Sequence, residues 1–199
     1  DFRLRSALRE IARKLEKPAR LTAMQDILIC DLEAADKAVV EAILTSHGVE
    51  LPEKVSLVQR YSLACPAIPT CGLAICESER ALPSVVDDLE DLLRDMGLED
   101  SAFTIRMTGC PNGCVRPYQS DIGLVGRSGD KYLLYLGGRL EGDRLNFPVK
   151  DLVGRDDVAK VLRPVFSEYK ENRRAAESFG DFCDRLGQDR LKALTATVV

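Results

Sequence analysis

At 199 residues, 45% hydrophobic and 30% charged, the chain has the length of one domain or one and a half and the composition of an ordinary globular protein. Its net charge of −4 disfavours nucleic acid as a partner without excluding an anion held by a few local arginines, and no stretch is apolar for long enough to span a membrane. Seven cysteines and no visible signal peptide favour a reducing compartment and a metal or cluster site over a secreted disulfide framework.

Residues 3–15 place Leu4, Ala7, Leu8, Ile11 and Leu15 at helical spacing, and Pro18 ends the segment. Residues 19–31 read as one strand. Residues 33–46 carry Ala35, Ala38, Val39, Ala42 and Ile43 on one helical stripe, with Gly48 as the stop. A single strand between two helices needs a sheet supplied from elsewhere. Residues 50–82 are rich in Pro, Gly and Cys but too apolar for disorder, which points to a functional irregular segment. A helix follows over 83–96, with Pro83 at its start and Val85, Val86, Leu89, Leu92, Leu93 and Met96 on its buried face. Phe103, Ile105 and Met107 alternate with Thr104, Arg106 and Thr108, the pattern of a half-buried strand running into Gly109-Cys110. Residues 121–126 and 131–137 form a hairpin around Ser128-Gly129-Asp130, and 143–149 adds a strand. A helix over 156–172, kinked at Pro164, and a last one over about 178–187 complete the chain.

The pattern that carries chemistry is Cys65-x5-Cys71, 38 residues, then Cys110-x3-Cys114. Four thiolates suit an iron–sulfur cluster, and ACPAIPTCGL and TGCPNGCVRP have the glycine- and proline-shaped character of loops that wrap one. Pro111 can open a helical turn, putting Cys110 and Cys114 on one face, and Gly113 clears space for a close approach. A structural zinc on the same cysteines is the rival; its half-sites usually run C-x2–4-C, which x5 fits loosely. Four core cysteines would instead be scattered along helix and strand stripes.

The segments CPAIPTCGLAICESERALP and MTGCPNGCVRPY resemble the two signature stretches of the sirohaem-dependent sulfite and nitrite reductase family, with RLTAMQDILICD, DIGLVG, YLGG and ESFGDF as supporting matches over nearly the whole chain. The resemblance implies an α+β fold: a ferredoxin-like half-domain over 1–56, packed on a mixed α/β domain over 57–199 that binds sirohaem and a 4Fe-4S cluster. It implies Cys65, Cys71, Cys110 and Cys114 as cluster ligands, with Cys114 also bridging to the sirohaem iron. It points to Gln25 as a cofactor-binding residue; Asn112, between the cluster cysteines, either orients a turn or touches a cofactor, and Arg116 is a cofactor-binding candidate through its charge. The family commonly has Asn before that glutamine where this chain has Met24. The implied reaction is the six-electron reduction of sulfite to sulfide, with nitrite reduction as the alternative. The implied partners are the family's N-terminal half, which carries its substrate-binding arginines and lysines, and a ferredoxin or flavoprotein donor.

The start at Asp1, inside a charged segment, leads us to expect a piece of a longer protein, inactive alone and prone to lose either cofactor. Arg116, Arg127 and Lys131 are the cations it offers to the carboxylates of sirohaem. The cytoplasm, or a plastid in a plant or alga, is the expected location. His47 reads as a helix-end residue; Cys30, Cys76 and Cys183 read as packing residues, and Glu77, Glu79 and Arg80 as capping or pairing near the first cysteine loop.

Overall fold

The computed structural model describes residues 2–196, which divide after Ser56 into two compact units. In the first, helix α1 (Leu4–Leu15) and helix α2 (Asp36–Ser46) bury Ala7, Ile11 and Ile43 against one another, with Leu15, Ile29, Val39, Val40, Leu44 and Val49 packed around them. The single strand expected over 19–31 is a hairpin instead. Strand β1 (Ala19–Leu21) pairs antiparallel with β2 (Ile27–Ile29), Arg20 opposite Leu28. The break is made by Thr22, whose Oγ1 accepts the N–H groups of Met24 (3.2 Å) and Asp26 (3.1 Å). A short hydroxyl side chain that captures local backbone donors competes with a strand ladder. The unit therefore carries its own two-stranded sheet.

In the second unit, a single-turn helix α3 (Leu57–Arg60) and a three-residue strand β3 (Ser62–Ala64) lie inside the stretch expected to be irregular. Helix α4 (Leu82–Met96) follows and ends on Gly97 in the left-handed conformation (φ 64°). Strands β4 (Ile105–Thr108), β5 (Ile122–Ser128), β6 (Lys131–Leu136) and β7 (Phe147–Gly154) complete a five-stranded sheet in chain order. Strands β3, β4 and β5 are mutually parallel, whereas β6 and β7 are antiparallel. Helix α5 (Val158–Asn172) continues through Pro164, and helices α6 (Phe179–Leu186) and α7 (Gln188–Ala196) close the described chain.

The main core lies on one face of this sheet. Ile105, Met107, Ile122, Leu124, Leu134 and Leu136 pack there against the apolar stripes of α4 and α5. Phe103, Phe166, Tyr169, Phe179 and Phe182 stack as an aromatic group with centroids 4.9–6.1 Å apart. Strand β4 was expected to be half-buried, yet all four of its residues are buried, because it runs between two parallel neighbours and the chain covers its second face too. A smaller group, Leu63, Cys65, Ala67 and Val115, forms a separate cluster from this core.

Candidate metal centre

Parallel strands leave a sheet at the same edge, and their connections must cross over. Ala64, the last residue of β3, stands opposite Met107 of β4. The segment after β3 and the 109–121 crossover between β4 and β5 therefore emerge side by side, the first carrying Cys65 and Cys71, the second Cys110 and Cys114.

The two segments are tied directly. Cys65 donates its N–H to Met107 O (3.2 Å), and the Gly109 N–H donates to Cys65 Sγ (3.4 Å). Gly109 O accepts from both Ile75 N (2.8 Å) and Cys76 N (2.9 Å). A Cβ on Gly109 would stand 2.5 Å from Cys76 O and 2.7 Å from Ala67 Cβ, so only glycine allows this approach. In the first segment Cys71 N donates to Ala67 O (2.7 Å). Arg80 reaches back to the carbonyls of Pro66 and Ile68, and its Nε lies 2.7 Å from Glu77 Oε2. Burial opposes ionisation of Glu77, but the Ser78 N–H and the Arg80 guanidinium hold its carboxyl below the ordinary value. The expected pairing of Glu77 with Arg80 is thus realised, and it braces the loop.

In the second segment Arg116 N donates to Gly113 O (2.7 Å) and Arg116 itself is left-handed (φ 56°), while Tyr118 Oη donates to Pro111 O (3.0 Å). The helical turn expected across Cys110 and Cys114 is a pair of tight turns. Cys65 and Cys110 are buried, and Cys71 and Cys114 are exposed. Asn112 and Arg116 share the second cysteine loop, both exposed, whereas Gln25 belongs to the first unit, in the turn between β1 and β2 (φ 64°). Among the described residues no three His, Cys, Asp or Glu side chains are grouped to hold a single metal ion.

The profile of the "Nitrite and sulphite reductase 4Fe-4S domain" matches residues 59–198. The chain belongs to this family. It is 48% identical over 192 residues to the "Sulfite reductase [ferredoxin]" of Synechococcus elongatus, covering 96% of this chain and 31% of the relative. It is 43% identical over 187 residues to the "Sulfite reductase [NADPH] hemoprotein beta-component" of Staphylococcus carnosus, covering 94% of this chain and 33% of that one. The chain thus spans about a third of the length of these curated relatives. Among solved structures, the Mycobacterium tuberculosis NirA protein superposes with a TM-score of 0.78 at 25% identity, over 94% of this chain and 36% of that one. Dissimilatory sulfite reductase I superposes with a TM-score of 0.71 at 14% identity over 96% of this chain and 65% of that one, a likeness of fold.

The residues present fit the family's cluster. Its four cysteine thiolates and their irons make a group wider than one metal ion, which suits two loops held side by side more than a tight tetrahedral cage. The surroundings suit negative charge. Arg106 is buried in β4 beside the cysteine loops, its Nη1 donating to Arg116 O (3.4 Å), and burial followed by the nearby Arg116 charge pulls its pKa below the ordinary guanidinium value. The Thr108 hydroxyl, also buried, has no hydrogen-bond partner among the described residues. Arg106 and Thr108 figured in the sequence only as the polar positions of an alternating strand. Their spacing of two from one another, continued two further on at Cys110, was the signal that they share a face.

Cys76 is fully buried, as a packing residue should be, and its Sγ donates to Lys131 O (3.3 Å), with burial raising its thiol pKa. Cys183 is buried on α6, where burial lifts its pKa well above the ordinary value. Cys30 was expected in the core but is only half-buried just past β2. His47 caps α2, with Nδ1 2.9 Å from Ile43 O and Nε2 3.7 Å from Glu10. Arg127 pairs with Asp151 at 3.3 Å.

Proposed function

We propose that Cys65, Cys71, Cys110 and Cys114 hold a 4Fe-4S cluster and that the chain is the cluster- and sirohaem-binding part of a sulfite reductase. The observation that carries this reading is the delivery of both cysteine pairs to one edge of the sheet by adjacent parallel strands, with bonds between the loops. When bound, the cluster and sirohaem would relay one at a time the six electrons that the donor supplies for each sulfite reduced to sulfide. This chain's residues then hold and shield. Cys65 and Cys110 anchor from inside the fold, while Cys71 and Cys114 face outward. The exposed Cys114 sulfur is free to touch a second group, which supports its reading as the bridge to sirohaem iron. Asn112 and Arg116, exposed on the same loop as Cys114, are read as further sirohaem contacts, as is Gln25 by resemblance.

Residues 1–56 are read as a ferredoxin-like half-domain and 57–199 as the cluster domain. Sulfite is favoured over nitrite because the curated relatives at 43–48% identity bear sulfite reductase names. Their names support ferredoxin or NADPH as the source of electrons, with a flavoprotein donor read from the resemblance, and the share of their length covered supports the remaining two-thirds of such an enzyme as the other partner. No helix among the described residues is long and apolar enough to cross a membrane.

The test is an ultraviolet–visible spectrum with iron and zinc analysis after anaerobic loading with iron, sulfide and sirohaem. A broad cluster band with about four irons per chain is expected. Cys110→Ser should abolish the band, and Cys114→Ser should remove the sirohaem bands. A colourless protein holding one zinc would sink the reading.

A further inference from the structure

The face of β4 that carries Arg106 ends at Thr108, and the hydroxyl there has nothing to bond. Thr108 is 1% exposed, and its Oγ1 finds no hydrogen-bond partner among the described residues. A buried hydroxyl in that condition is costly, and native folds supply it with a partner, a water or a ligand. Its surroundings narrow the choice. On one side Thr108 pairs with Val125 of β5, which offers no polar side-chain atom. On the other, the register that sets Ala64 opposite Met107 puts Cys65 opposite Thr108 one step further on. The next residue, Gly109, already directs its N–H at Cys65 Sγ. The hydroxyl therefore lies at the root of the cysteine loops, one residue from a donor committed to sulfur and two from Cys110.

We propose that Thr108 donates its hydroxyl hydrogen to a sulfur of the bound iron–sulfur cluster, and that this bond raises the cluster's reduction potential. The proposal rests on the cluster reading given above. Hydrogen bonds to the sulfurs are among the factors that set a cluster's potential. Reduction adds electron density to those sulfurs, so a donor stabilises the reduced state more than the oxidised one. Thr108 is then a cofactor-binding residue that tunes the cluster without ligating it.

The experiment is a potentiometric titration, followed by electron paramagnetic resonance, of the whole chain loaded with iron and sulfide, as the wild type, Thr108→Val and Thr108→Ser. Valine keeps the branched shape and removes the hydroxyl; serine restores it. The expected result is full iron in all three, with the equilibrium constant for one-electron reduction about tenfold lower in Thr108→Val, a fall of about 59 mV, and most of it recovered in Thr108→Ser. Loss of iron from Thr108→Val alone, with Thr108→Ser loaded normally, supports the same bond. Equal potentials in the wild type and Thr108→Val at equal iron overturn the proposal and assign the hydroxyl to a water, leaving the cluster reading intact. Loss of iron from both variants also overturns it, since the hydroxyl would then not be what matters. A wild type that takes up no iron overturns the cluster reading and this proposal together.

Discussion

Between Cys65 and Cys71 the chain is braced by charge from its own continuation: Arg80 reaches back to the Pro66 and Ile68 carbonyls and is itself held by Glu77. Between Cys110 and Cys114 the bracing is close contact and neutral hydrogen bonds, from Gly109 wedged against Cys76 and Ala67 and from Tyr118 on the Pro111 carbonyl. Each loop contributes one buried and one exposed cysteine, so the two arrive at the same outcome by different physics. The first loop should respond to changes of charge and tolerate changes of size; the second should do the reverse.

The largest expected effect comes from crowding the second loop. Gly109→Ala would force a methyl to within 2.5 Å of Cys76 O, and overpacking of that kind costs about 1–3 kcal/mol. A lowered melting temperature and poor iron retention should follow, and a variant that melts and loads like the wild type would show that the loops give way freely. Next is the brace of the first loop. Arg80→Ala removes two carbonyl contacts and the Glu77 pair, but the side chain is half exposed, so roughly 0.5–1 kcal/mol is at stake. Limited proteolysis should then cut between residues 65 and 80 faster while leaving 109–116 as protected as before; equal loss of protection in both loops would erase the contrast.

The smallest effect is on pH. The Glu77 carboxyl lies below its ordinary value of 4.5 in the folded chain, so its contribution is whole above the unfolded pKa and is lost as pH falls through the still lower folded one. Amide exchange of Cys71, whose N–H bonds to Ala67 O, should lose protection across that acid window, whereas Arg116, bonded to Gly113 O, should not. Exchange that is flat in pH at Cys71 would remove Glu77 from the brace.

The same division between local and non-local causes decides what could be read from the sequence. The long helices were legible because their apolar stripes repeat over several turns, as in Val85, Val86, Leu89, Leu92 and Leu93. The cysteine spacing and its flanking glycines and prolines pointed to the loops without any structure. What failed depended on partners distant in sequence or on one side chain's hydrogen bonds. Thr22 splits an apolar run by capturing the N–H groups of Met24 and Asp26, which no periodicity records. Arg106 and Thr108 looked like a solvent face, because the 109–121 crossover that helps cover it is not part of the strand's own pattern. Three-residue β3 is too short to declare itself and exists through its pairing with β4. Helix α7 buries only Leu191 and Thr195, too sparse a stripe to recognise.

The pairing of β3 with β4 makes the sheet a ruler for the two cysteine pairs. Side chains alternate along a strand, so deleting one residue between Ser62 and Cys65 would turn Cys65 toward the opposite side, however well the rest of the chain folded. Length added beyond α4, in the turn near Glu99 and Asp100, changes nothing in that measure. The slack lies in that turn alone, and the distance that counts between the two cysteine pairs is the width of one parallel step.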